Sequence, residues 1–256
     1  MDTTLWRAAL VTVSPAGVLM AGERHERVLA MLSAGSEGKV SARGLCEAVT
    51  AVLGVNGTGV MLMSGDVAYG SLCTTNEVSE LIEELQYSLG EGPCVDAYNY
   101  DRVIAEPDLA DPATVRWAAF GPPALQVGVR AVFAFPLRVG AVRLGALDLY
   151  MDRPGHLSDD QHADALVMAD VVASWVLDAQ ARAPVGSVAA ALDAEAEFHL
   201  VAHNAAGMVS AQLGVNVSEA MLRLRAYAFS HGRSLASVAE DVVARRIRLN
   251  RTYGGC

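Results

Sequence analysis

Two stretches of this chain set apolar, β-patterned runs on either side of very short turns. GVMLMS (59–64) faces VAYGSLCT (67–74) across Ser64-Gly65-Asp66, and AVFAFPLRV (131–139) faces VRLGALDLYM (142–151) across Gly140-Ala141. A connection of two or three residues joins only antiparallel neighbours, because a parallel partner needs a crossover of about a dozen residues. An antiparallel sheet is therefore the frame of the first two thirds of the chain. Pro136 has no N–H for the ladder and is expected at an edge or a bulge.

Helical patterns surround the hairpins. ARGLCEAVTAVLG (42–54) is apolar at Leu45, Val49, Val52 and Leu53 and stops at Gly54. NEVSELIEELQYSLG (76–90) has Asn76 or Ser79 as cap and an apolar face of Val78, Leu81, Ile82 and Leu85. SDDQHADALVMADVVASWVLDAQ (158–180) opens on Ser158 with acids in its first turn. Residues 90–130, dense in Gly, Pro, Asp and aromatics, read as a long irregular connection with a short strand at RVIA (102–105). The order is α+β, with the helices expected on one face of the sheet. Residues 1–40 form an N-terminal extension, helical at GERHERVLAML (22–32).

The last sixty residues carry no strand pattern. A helix from about Ala194 to Leu213 recurs in apolar residues every three to four positions and contains Gly207, which costs roughly 1 kcal/mol relative to alanine in a helix interior. Asn216 with Glu219 has the spacing of a capping box, and the second helix places Ala220, Leu224, Tyr227 and Ala228 on one face. Gly232 breaks the chain, Ser234 caps, and Leu235, Val238, Ala239 and Val242 line a third helix. The expected organisation is an extension (1–40), an α+β module (41–180), a linker (181–193) and a small all-α bundle (194–250).

Composition separates these modules further. From Glu195 onward seven arginines stand against five acids, a balance of +2 within a total of −10, so the first 194 residues carry −12. A polyanionic partner suits the second module better than the first. No apolar run reaches the ~18 residues of a spanning helix. Ser14 and Pro15 split the one stretch resembling an export signal, RAALVTVSPAGVLMA. The four cysteines, Cys46, Cys73, Cys94 and Cys256, show no CxxC or Cys/His cluster, so free thiols, no structural zinc and a reducing, cytoplasmic location are expected. His156 and His162 lack a partner spacing for metal, and Glu91, Asp96, Asp101 and Asp108 lack a catalytic partner.

HNAAGMVSAQLGVNVSEAMLRLRAYAFSHGRSLASVAEDVV (203–243) resembles the ANTAR domain, the three-helix RNA-binding module of bacterial transcription antiterminators. The matching residues are Ala205, Gly207 and Met208, then Ala220, Leu224 and Arg225, then Arg233, Leu235, Val238 and Ala239. Many members have a lysine before the glycine, where this chain has Ala206. The resemblance implies binding to structured RNA with paired stem-loops, acting as a homodimer. Its contact residues would be Ala205, Gly207, Arg225, Tyr227 and Arg233, with forked guanidinium donors and an aromatic plane for unstacked bases.

LGEGPCVDAYNYDRVIAEPDL (89–109), Arg116-Trp117 and GVRAVFAFPLRVGAVRLGALDLYMDRPGHLS (128–158) resemble the GAF domains that precede ANTAR modules. This likeness spans 41–180 and implies a sensory domain with a six-stranded antiparallel sheet and a pocket over one face. The small-molecule ligand and any cofactor stay open; Cys73, Cys94, Tyr98, Trp117 and Phe120 are the candidate pocket residues. The expected function is non-enzymatic, that of a signal-responsive RNA-binding antitermination regulator. Two other readings remain: a DNA-binding helix-turn-helix regulator, and a GAF-type methionine sulfoxide reductase using Cys73 and Cys94.

Overall fold

In a computed structural model, which describes residues 41–64, 67–112, 116–182 and 196–250, local sequence signals set most element boundaries. The readings for the extension at 1–40, the turn at 65–66, the linker at 183–193 and Cys256 lie outside these residues. Helix α1 (Ala42–Leu53) is capped by the Ser41 side chain and closed by Gly54 at φ 61°. Strands β1 (Gly57–Ser64) and β2 (Val67–Thr74) follow, then α2 (Glu77–Leu89), whose Asn76 cap and Ser79 form a reciprocal capping box.

Residues 90–130 are more ordered than their composition suggests. Besides β3 (Ile104–Glu106) they hold two short helices, α3 (Pro93–Tyr100) and α4 (Gly121–Gln126), each with proline in its first turn. Proline fits there because the first N–H groups of a helix have no partner in any case. Glu91 accepts from the Ala119 and Phe120 amides at 2.6 and 2.8 Å, just ahead of α4. Strands β4 (Ala131–Val139) and β5 (Val142–Met151) form the second hairpin, and α5 (Asp159–Arg182) follows with Ser158 accepting from the Gln161 amide.

The sheet is antiparallel throughout in the order β2-β1-β5-β4-β3. It has five strands among the described residues, where the sequence resemblance implies six. Pro136 lies on β4 beyond the three residues that β3 covers, and the register shifts at Leu137/Arg138 beside it.

One expectation is corrected. Helices cover both faces of the sheet, not one: α1 and α5 pack with Val60, Phe133, Phe135, Leu147 and Leu149, whereas α2, α3 and α4 pack on Met61, Val132, Ala134, Ala146 and Tyr150. A sheet buried on both sides has near-continuous apolar strands, which is the pattern of β4 and β5. The thiol expectation is corrected as well. Cys46 on α1 and Cys73 on β2 form a disulfide with a Cα–Cα distance of 6.2 Å. The apolar face of α1 lies against β2 and brings together residues 27 apart in sequence, so cysteine usage no longer argues for a reducing compartment.

Helices α6 (Ala196–Leu213), α7 (Val217–Ser230) and α8 (Leu235–Val243) form a bundle around Ala202, Ala205, Val209, Leu224, Val238 and Val242. Asn216 and Ser234 cap α7 and α8. The bundle core is continuous with the core between the sheet and α2/α3, since α6 touches β2 and α7 touches α2. No described helix is long and apolar enough to cross a membrane.

Candidate functional site

Strand β5 carries one acid in an otherwise apolar centre, Asp148, paired across the ladder with Gly59 on β1 and Ala134 on β4. The two-residue period turns Asp148 toward α2 and α3 together with Ala146 and Tyr150. Opposite it, α2 buries a polar stripe, Ser79, Glu83 and Gln86. Glu83 and Asp148 are 2% and 5% exposed, so two carboxyl groups meet in a nearly dry interior.

The surroundings are built to hold them. At Gly59 a Cβ would overlap the Glu83 carboxyl group, so glycine lets that side chain lie directly on the sheet. Gln86 bridges α2 to its neighbours: its Nε2 donates to Asp148 Oδ2, and its Oε1 accepts from the Cys94 amide at 2.7 Å. The Tyr150 hydroxyl donates to Asn76 Oδ1 at 2.9 Å, tying the start of α2 to β5. The Asp148 carboxyl group also lies within hydrogen-bonding reach of Glu83 and Cys94. A cavity of about 10 Å³, the room of one water molecule, lies beside it and is lined by Gly59, Ser79, Glu83, Pro93 and Tyr150 among others.

Electrostatics follow from the burial. Desolvation pushes the Asp148 carboxyl up from 3.8 to about 6, against opposing hydrogen bonds from Glu83, Gln86 and Cys94. Burial first, then the adjacent Asp148 and Glu83 charges, drives the Cys94 thiol well above its ordinary range. Cys94 is therefore a neutral, inert thiol in this state.

The candidate pocket residues divide. Cys94 belongs to this cluster. Cys73 lies across the sheet in the disulfide, in the core under α1 and α5, so the structure does not bring it to Cys94. Tyr98, Trp117 and Phe120 are buried near α3 and α4 but line other contacts: Arg143 sits over Tyr98 at 4.9 Å, and Trp117 meets Phe120 edge-on at 5.9 Å. The Trp117 indole also donates to Asp96, which pairs with Arg116. Glu83, Asp148 and Gly59 escaped the sequence reading, and Ser79 was read only as a helix cap. The signal was present in the lone acid of LGALDLYM and in the i, i+4, i+7 polar stripe of α2. Among the described residues no group of three or more His, Cys, Asp or Glu is placed to hold a metal, and His162 packs on the Phe135 ring at 5.4 Å.

In the bundle, Ala205 is core, whereas Gly207 is exposed and a Cβ there would meet nothing within 4 Å. Packing thus gives no reason for this glycine. Gly207→Ala is expected to raise stability by roughly 0.5–1 kcal/mol, read from urea unfolding of the full chain. Tyr227 stacks on His231 at 4.0 Å, and Arg233 donates to Ser237 and Asp241, the latter also bound by Arg246. Arg225 is half-buried against the GAF module. Its Nε donates to the Tyr87 carbonyl at 2.9 Å, its guanidinium stands 5.7 Å from the Tyr87 ring centre, and it crowds Gly90 at the C-cap of α2. A cation at that helix end meets the negative pole of the macrodipole and an orphan carbonyl.

A GAF domain family model matches residues 39–174, just over half of the chain. Comparison with curated proteins finds no match. Among solved structures, the chain is similar to the GAF domain of an Acinetobacter phosphoenolpyruvate-protein phosphotransferase, at 12% identity and a TM-score of 0.49 over 65% of this chain and 98% of that one. It is similar to the GAF domain of a two-component sensor histidine kinase from Bacillus halodurans, at 11% identity and a TM-score of 0.43 over 56% and 98%. It is also similar to a type II free methionine-R-sulfoxide reductase from Thermoplasma acidophilum, at 17% identity and a TM-score of 0.43 over 60% and 96%. With the family model matching residues 39–174, more than half of the chain, over an antiparallel sheet clad by helices, the chain belongs to the GAF domain family.

Proposed function

We propose that this protein is a signal-responsive RNA-binding regulator in which the GAF module controls the C-terminal bundle, acting by transcription antitermination as a homodimer on paired stem-loops. One observation carries the reading: Arg225, a residue that the ANTAR resemblance assigns to RNA, is held by the C-terminal end of a GAF helix. The Tyr87 carbonyl takes the Nε N–H of Arg225, so a phosphate fork that uses Nε competes with that contact. Gln86 joins Asp148 and Cys94 to α2 one residue before Tyr87. A ligand that shifts the buried carboxyl cluster therefore acts on the helix end that holds Arg225. The exposed, unpacked Gly207 supports the same reading, since a bare helix backbone admits a phosphate chain closely.

The test is titration of the full chain with RNA carrying two adjacent stem-loops and with matched duplex DNA, across a salt series. The regulator binds the RNA more tightly, and Arg225→Ala with Arg233→Ala lowers RNA affinity at least about tenfold while the fold is retained. Gly90→Ala, whose Cβ would crowd the Arg225 guanidinium while straining the left-handed C-cap of α2, strengthens RNA binding by releasing that side chain. Equal affinity of all these proteins for the RNA, or a preference for duplex DNA, overturns the reading.

A further inference from the structure

We propose that the Cys46–Cys73 disulfide is a redox site: a dithiol reductant cleaves it, and cleavage loosens the docking of the C-terminal bundle on strand β2. This rests on the reading of the GAF module as the part that controls the bundle, and it names the signal as thiol redox state. The bond joins α1 to β2, which lies at one edge of the five described strands. Its two ends differ in access. Cys46 is fully buried, whereas Cys73 is 5% exposed on the edge strand. The ladder between β1 and β2 shifts register at Val60/Met61 and at Leu62/Met63, and the first shift adjoins the Val60–Cys73 pair. A strand paired on one side through an interrupted ladder opens locally at less cost than the centre of a sheet, which gives a reductant its way in.

Helix α1 keeps other anchors when the bond is broken. The Thr50 and Thr58 hydroxyls hydrogen-bond at 2.7 Å, tying α1 to β1, and Gln161 at the start of α5 donates to the Leu53 carbonyl at 2.7 Å. Cleavage therefore frees β2 and leaves α1 in place. What β2 touches decides the consequence. Helix α6 of the bundle packs on β2, and so does α2, whose Tyr87 carbonyl holds Arg225. A loosened β2 weakens both supports of the docked bundle, so Arg225 leaves Tyr87 more readily. In the chemical step a thiolate of the dithiol attacks Cys73 Sγ, the S–S bond breaks, and the Cys46 sulfur leaves with the electron pair. The reagent's second thiol then attacks the reagent sulfur of the mixed disulfide, closing a ring and expelling the Cys73 thiolate. The protein bond gains two electrons, the dithiol is oxidised to a cyclic disulfide, and its two protons end on Cys46 and Cys73. Cys94 takes no part, because it lies in the core on the other face of the sheet.

The experiment is amide hydrogen exchange of the full chain, read by mass spectrometry on oxidised, dithiothreitol-reduced and reoxidised protein below the melting temperature of either form. A mass gain of two hydrogen atoms verifies cleavage. Exchange is expected to rise at least about tenfold in β2 and α6, to stay within about twofold in β4, β5 and α5, and to revert on reoxidation. Cys46→Ser with Cys73→Ser reproduces the reduced pattern without reductant, and a Cys94→Ala chain still responds. An unchanged pattern, a uniform rise across the whole chain, or a bond that dithiothreitol leaves intact in the folded protein overturns the proposal. The same samples are titrated with the two-stem-loop RNA, which the reduced form binds at least about fivefold more tightly. Where RNA binds, equal affinity of both forms overturns the bond as the signal. Loosening of β2 and α6 with no RNA binding by either form supports the redox site and overturns the RNA reading alone, so the two failures are distinguishable.

Discussion

Asp148→Asn is expected to stabilise the protein by about 3 kcal/mol at pH 7.5, the free energy equivalent of holding a carboxyl at about 6 in place of 3.8. Below pH 3.8 both folded and unfolded forms carry the proton and the group has no effect. Between about 4 and 6 the folded protein retains a proton that the unfolded chain has lost, so stability falls as pH rises through that window. Above it the full penalty of a buried charge is present. Asparagine keeps an oxygen for the Gln86 donor and turns an N–H₂ toward the Glu83 side, removing the charge without emptying the site. Urea unfolding at pH 4.5, 5.5 and 7.5 checks this: the variant should show a much flatter profile and the parent should weaken toward neutrality. Equal stability of the two at pH 7.5 would show that the Asp148 charge is solvated.

Breaking the Cys46–Cys73 bond is expected to cost about 3.5 kcal/mol, from the loop-closure entropy of a cross-link across 27 residues. Both sulfurs are buried in the core shared by α1, β2 and α5, so the replacements Cys46→Ala and Cys73→Ala also leave small voids. In thermal unfolding the double variant should melt roughly 10 °C lower and lose all sensitivity to dithiothreitol, whereas the parent loses a similar amount when reduced. Identical melting of oxidised and reduced parent protein would show that the bond adds nothing. Cys94, buried and driven toward its neutral form, should stay unreactive to a thiol reagent until the chain unfolds.

Much of the architecture was legible because its signals are local. A two-residue turn forces Val142–Met151 back along Ala131–Val139, and Asn76, Ser158, Asn216 and Ser234 each offer a side-chain oxygen to an amide three residues on. Helices α3 and α4 were obscured because their glycine and proline content signals loops, although proline is compatible with a first helical turn. Cover on both sheet faces was implied by the unbroken apolar run of β5 but masked by its single acid.

What the sequence by itself determined is the set of antiparallel hairpins, the caps and ends of the long helices, and the change from a mixed module to an all-helical one, since each depends on residues a few positions apart. Only the tertiary structure decided that Asp148 meets Glu83 across 65 residues, that Cys46 bonds Cys73 and not Cys94, and that Arg225 reaches Tyr87 from another module. These meetings arise where separate apolar faces pack together, and no short-range pattern records which polar groups that packing will bury side by side.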